Sequence, residues 1–134
     1  MSGRGDPGDP RDPGAALDPR LERLSAICLD LPEAKREVTG RHAAFRVRGR
    51  TFVYFLDDHH GDGIVGLTAK AVPGAAETLV AEDPERFYRP AYLGHRGWVG
   101  VRLDTGPVDW DEIAGFVVES YRLCAPKSLA RAIS

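Results

Sequence analysis

Tyr92-Leu93-Gly94-His95-Arg96-Gly97-Trp98-Val99-Gly100-Val101-Arg102-Leu103 begins as a glycine-spaced loop and ends in the alternation of a strand. Two arginines, a histidine and a tryptophan occur along it without one acid. That composition describes a shaped, basic and partly aromatic surface lying beside a buried strand.

The segments around it supply the rest of a small domain. Asp18-Pro19 has an N-capping acid followed by a proline at the first helical position. Leu21, Leu24, Ile27, Cys28 and Leu31 then recur at helical spacing until Pro32 stops the run. Three strands are predicted next, over residues 44–48, 51–56 and 64–70. In the first, Phe45 and Val47 point inward and Arg46 and Arg48 outward, with Gly49-Arg50 as a tight turn. Pro73-Gly74 opens a shorter helix that Asp83-Pro84 ends. A brief edge strand over residues 87–90 precedes the strand at 98–103. Asp109 caps a last helix whose buried stripe is Trp110, Ile113, Val117, Tyr121 and Cys124, and Ala125-Pro126 closes it.

Short links between strands favour antiparallel pairing, because parallel pairs need long crossovers. Helices with a single apolar stripe must then share one face of the sheet. The expected fold is α+β, a two-layer sandwich of a five-stranded antiparallel sheet with helices on one face, in the order α-β(3)-α-β(2)-α. Its second face is open to solvent. A chain of 134 residues suits one such domain, placed at residues 18–128. Residues 1–17, rich in Gly, Pro and Asp, are expected to be disordered, and residues 129–134 to be a loose tail.

Charge is unevenly arranged behind a net value of -2. Residues 35–50 hold Lys35, Arg36, Arg41, Arg46, Arg48 and Arg50 against Glu37 alone, and residues 86–102 hold four arginines and no acid. Residues 104–119 hold Asp104, Asp109, Asp111, Glu112 and Glu119 without a base. Opposite placement of these segments gives an electrically two-sided molecule. Cys28 and Cys124 are too few and too far apart for a disulfide framework or zinc knuckle, and each falls in an apolar helical pattern. With no long apolar run and no signal-like N-terminus, the expectation is a cytoplasmic protein that does not span a membrane.

Leu31-Pro32-Glu33, Phe45-Arg46-Val47, Gly94-His95-Arg96-Gly97-Trp98-Val99 and Ser120-Tyr121-Arg122-Leu123 occur in an order and spacing that resemble the MmcQ/YjbR family of small bacterial proteins. The likeness covers about residues 20–128. It implies the same α-β(3)-α-β(2)-α domain. It also implies DNA binding, a description that for the family rests on analogy with a double-winged sheet surface. No catalytic residues carry over from it.

The basic sheet face is the leading site. Arg46, Arg48, Arg50, Arg96 and Arg102 are expected to hold phosphates, since a guanidinium stays charged and offers several donors. His95 and Trp98 shape the contact, and Tyr54 offers a second stacking platform. The competing explanation is a solvated strand face whose arginines guard against edge pairing. The loop Asp57-Asp58-His59-His60-Gly61-Asp62 has metal-ligating residue types, but adjacent side chains on a loop rarely converge on one ion, so it reads as a polar hairpin tip. No G-x-S-x-G elbow, P-loop or activated cysteine is present. The expected function is therefore non-catalytic, without cofactor or metal: a DNA-binding accessory or regulatory protein of weak sequence selectivity, acting as a monomer. The alternative is an adaptor that holds a protein partner on the same sheet face.

Overall fold

A computed structural model of the chain describes residues 17–91 and 93–133, without the side chain of His60. The tail expected at residues 1–17 lies outside the described residues except for Leu17, which packs against the core. The elements are α1 (Pro19–Leu29), β1 (Lys35–Thr39), β2 (His42–Val47), β3 (Arg50–Asp57), β4 (Val65–Lys70), α2 (Ala75–Glu82), β5 (Phe87–Tyr88), β6 (Trp98–Arg102), α3 (Trp110–Cys124) and α4 (Lys127–Ala132). Single 3-10 turns occupy His59–Gly61 and Gly94–Arg96.

The strands form one antiparallel sheet in the order β1-β2-β3-β4-β6-β5. Six strands replace the expected five, and β1 is the addition. Lys35-Arg36-Glu37-Val38-Thr39 has no apolar alternation, and all five residues are exposed. An edge strand needs none: it pairs on one side only, here from Lys35↔Arg46 to Thr39↔His42, and covers no core. Where a loose tail was expected beyond residue 128, Lys127–Ala132 form α4, and Leu129 and Ile133 pack against the core.

Register assigns the faces. Ala43, Phe55, Leu67, Val101 and Phe87 make one row across the sheet, and Phe45, Val53, Ala69 and Val99 the next. All are buried, and Leu21, Leu24 and Cys28 of α1 join them in one core with Ile113, Val117 and Tyr121 of α3. Each large apolar side chain so removed from water contributes about 1.5–3 kcal/mol.

The pairing shifts between Phe45↔Val53 and Arg46↔Thr51, so Phe52 is the extra residue of a β-bulge. The bulge explains how the adjacent Phe52 and Val53 are both fully buried in a strand that would otherwise alternate. It also ends the ladder between β3 and β4 at Val53↔Ala69. Ser120 of α3 takes over there: its hydroxyl donates to the Phe52 carbonyl (2.6 Å) and accepts from the Lys70 amide (2.9 Å). Tyr121 donates to the Pro32 carbonyl at 2.8 Å and meets the Phe52 ring edge-on, with centroids 5.4 Å apart.

Candidate nucleic-acid interface

Alternation places the remaining residues of each strand on the face away from the helices. Lys35 pairs with Arg46 and Arg46 with Thr51, while Lys70, past the bulge, pairs with Trp98. Beside that row run Glu37, Ala44, Tyr54, Thr68, Gly100 and Tyr88, again matched pair by pair. Leu56, Gly66 and Arg102 lie beyond them, with His42 on β2.

Arg46 lies on this face, as expected. Its Nε donates to Thr51 Oγ1 at 3.0 Å, and its guanidinium pairs with Glu37. Arg102 lies there too, forked onto Asp104 at 2.9 and 3.1 Å. That hydrogen-bonded guanidinium holds the Asp104 carboxyl below its ordinary range, helped by the Val65 amide, which donates to it at 3.1 Å. Trp98 is present but only 7% exposed, its ring 5.9 Å from that of Tyr54 and tilted by 44°. His95 and Arg96 sit exposed on the 3-10 turn before β6, without an ion pair among the described residues.

Two expected residues lie elsewhere. Arg48 does not share the outward face of Arg46, because β2 ends at Val47 and the tight turn is Arg48-Gly49, with φ of 51° and 78°. The turn directs the Arg48 guanidinium onto Glu33 as a fork of 2.6 and 2.8 Å, which lowers the Glu33 pKa. Arg50 pairs in register with the buried Val47, which puts it on the helix side, near Cys124. Lys35 joins Arg46 on the face, a position illegible in the sequence because β1 has no strand-like pattern. Lys70 is in register with Trp98, but its charge acts on Cys124 of α3 more strongly than that of Arg50 does.

The aromatic part of the face depends on glycine. The Tyr88 ring lies so close over Gly100 that a β-carbon there would come 2.3–2.5 Å from three ring carbons. Burial pushes the Tyr88 phenol up to about 12. Between Tyr54 and Gly100, the Thr68 hydroxyl is buried without a hydrogen-bond partner among the described residues. At the other end, the Asp57 amide donates to His42 Nδ1 at 3.1 Å, which requires the neutral ring with its hydrogen on Nε2. Burial, then the nearby His59 and Arg41, lower the His42 pKa accordingly.

The acidic loop serves its own backbone: Asp58 accepts from the Gly63 amide (2.7 Å) and Asp62 from the Ile64 amide (2.9 Å). Among the described residues no group of three or more His, Cys, Asp or Glu side chains converges as metal ligands would. Cys28 and Cys124 are buried free thiols, their pKa values raised by burial. No helix among the described residues is long and apolar enough to cross a membrane.

Fold and face together define a small two-layer α+β domain whose antiparallel sheet carries its helices on one side. The YjbR family model matches residues 29–123, from the end of α1 almost to the end of α3, and the chain belongs to that family. It is similar in fold to the crystal structure of Deinococcus radiodurans protein DR2400, of domain family DUF419. That likeness has a TM-score of 0.63 at 24% identity, over 77% of this chain and 76% of that one. No curated protein matches the chain.

Proposed function

We propose that this protein is a non-catalytic, cytoplasmic nucleic-acid-binding protein that works through its open sheet face. The observation that carries the reading is the run Lys35, Arg46 and Thr51 across β1, β2 and β3, in which no acid stands. With strands about 4.8 Å apart, its two steps span roughly 10 Å. The far side of the face ends at the exposed turn carrying His95 and Arg96. Cations spread across the face in this way suit a polyphosphate backbone better than one small anion.

The Arg46–Glu37 pair competes with phosphate, but weakly. Both side chains are well exposed, at 39% and 62%, and such surface pairs are worth at most about 1 kcal/mol. Phosphate contacts position a nucleic acid without reading it, so sequence selectivity is weak.

The test is fluorescence anisotropy of a labelled duplex titrated at two salt concentrations. Each neutralised phosphate contributes about 0.9 to the slope of log affinity against log salt, so replacing both Lys35 and Arg46 with Ala should lower the slope by about 1.8. Unchanged affinity and slope in the double variant would refute the assignment.

One observation favours a second reading, capture of an extended protein segment by strand addition. Strand β1 is an edge with every residue exposed, Val38 at 38% among them. A pull-down that survives nuclease and high salt would support an adaptor; one abolished by either would return the face to nucleic acid.

A further inference from the structure

We infer that the groove between β2 and β3 on the open face receives one unpaired nucleobase, so that nucleic acid is held there as a single strand. The inference rests on the nucleic-acid reading above and adds to it the form of the ligand.

The groove exists because of one small residue. Ala44 lies between Glu37 and Tyr54 in the cross-strand row, and two positions either way on β2 stand the longer His42 and Arg46. A methyl group among those neighbours leaves a cavity of about 230 Å³, walled by Tyr54 and Leu56. Pockets for drug-sized ligands measure about 300–1,000 Å³, so this smaller space suits one ring system and not a dinucleotide cofactor.

Its lining matches a base. Tyr54 offers a flat aromatic wall, and Ala44 and Leu56 an apolar floor and side. The polar groups around them have both signs: Arg46 supplies donors, Glu37 an acceptor, and the neutral His42 a hydrogen on Nε2. A nucleobase likewise has apolar faces and an edge of mixed donors and acceptors. Arg46 belongs to the cationic row and to the groove wall at once, so phosphate and base of adjoining nucleotides fall within reach together. A base stacked in a duplex cannot enter.

The experiment compares a labelled single strand with the duplex of the same sequence by anisotropy, using the full chain. Two variants probe the groove: Ala44→Leu fills it without changing a charge, and Tyr54→Ala removes its aromatic wall. The single strand should bind more tightly, and each variant should weaken it by about 5- to 150-fold, the range for one base stacked on an aromatic ring. In Ala44→Leu the salt slope should stay unchanged. A thermal unfolding midpoint near that of the unsubstituted chain qualifies a variant for the comparison. Equal binding of both substrates, or equal loss of both in Ala44→Leu, overturns the groove assignment and leaves the phosphate row standing. Absence of any binding at low salt overturns both.

Discussion

Replacing Ser120 with Ala should destabilise the protein far more than loss of one small surface hydroxyl would. The side chain is fully buried and holds two backbone groups that the bulge leaves outside the ladder, the Phe52 carbonyl at 2.6 Å and the Lys70 amide at 2.9 Å. An ordinary hydrogen bond contributes about 1 kcal/mol net, but a buried group left without a partner costs about 1–3 kcal/mol. Two such groups, partly relieved by local relaxation, put the loss at about 2–4 kcal/mol. That is a large share of the 5–15 kcal/mol typical of a domain.

Urea denaturation measures it. With a slope of about 1.5 kcal/mol/M, within the range for small proteins, the midpoint should fall by roughly 1.3–2.7 M. Ser128→Ala, at an exposed position on α4, is the control and should stay within about 0.5 kcal/mol. A loss below about 0.5 kcal/mol for Ser120→Ala would refute the view that this hydroxyl closes the bulge. It would mean that the two groups find other partners once the hydroxyl is gone.

Two more perturbations test the open face. Gly100→Ala drives a methyl into the Tyr88 ring and should displace that ring or β5, at the 1–3 kcal/mol usual for overpacking; an unshifted thermal midpoint would contradict the contact. For His42, the folded pKa lies below the ordinary 6.5, so its neutral form contributes stability that is fully present above about pH 6.5 and lost as pH falls through the folded value. Burial opposes the charged ring most, His59 and Arg41 add to it, Asp57 and Asp62 favour the charge, and the net shift is downward. Urea midpoints should therefore fall more from pH 7.5 to 5 in the unsubstituted protein than in His42→Asn, whose amide oxygen replaces Nδ1 as acceptor for Asp57; equal falls would defeat this account.

The core was legible because its residues obey the periods of their elements. Leu21, Leu24 and Cys28 on α1, and Ile113, Val117, Tyr121 and Cys124 on α3, are buried where helical spacing puts them. Phe45 and Val47 face inward as alternation requires. Strand β1 was illegible for the complementary reason: its place comes from backbone pairing at an edge, and its five exposed side chains leave no pattern. Arg48 and Arg50 were misplaced by local geometry. A two-residue turn with positive φ begins one residue before the glycine that announces it, which takes Arg48 off the strand and starts β3 at Arg50. The register of Lys70 with Trp98 is illegible for a different reason, because it depends on strand order across a crossover.

The net charge of -2 weighs less against phosphate binding than the ion pairs do. Asp109, Asp111, Glu112 and Glu119 are on α3 or at its N-terminus, a helix in the layer behind the sheet. Packed layers are about 10 Å apart, and charges are screened over about 8 Å at physiological ionic strength, so these acids hardly reach the far face. Glu37 and Asp104 act at contact range and occupy Arg46 and Arg102 directly, while Glu33 does the same for Arg48 away from the face. Among the described residues, Lys35 on β1 and Arg96 on the turn before β6 have no ion pair. On the nucleic-acid reading proposed above, a polyanion would meet free cations at either side of the face, with Arg46 released by exchange of one exposed pair. Such binding would be weak at physiological salt and steep in its salt dependence, because each contact is separate and exposed and is driven by counterion release.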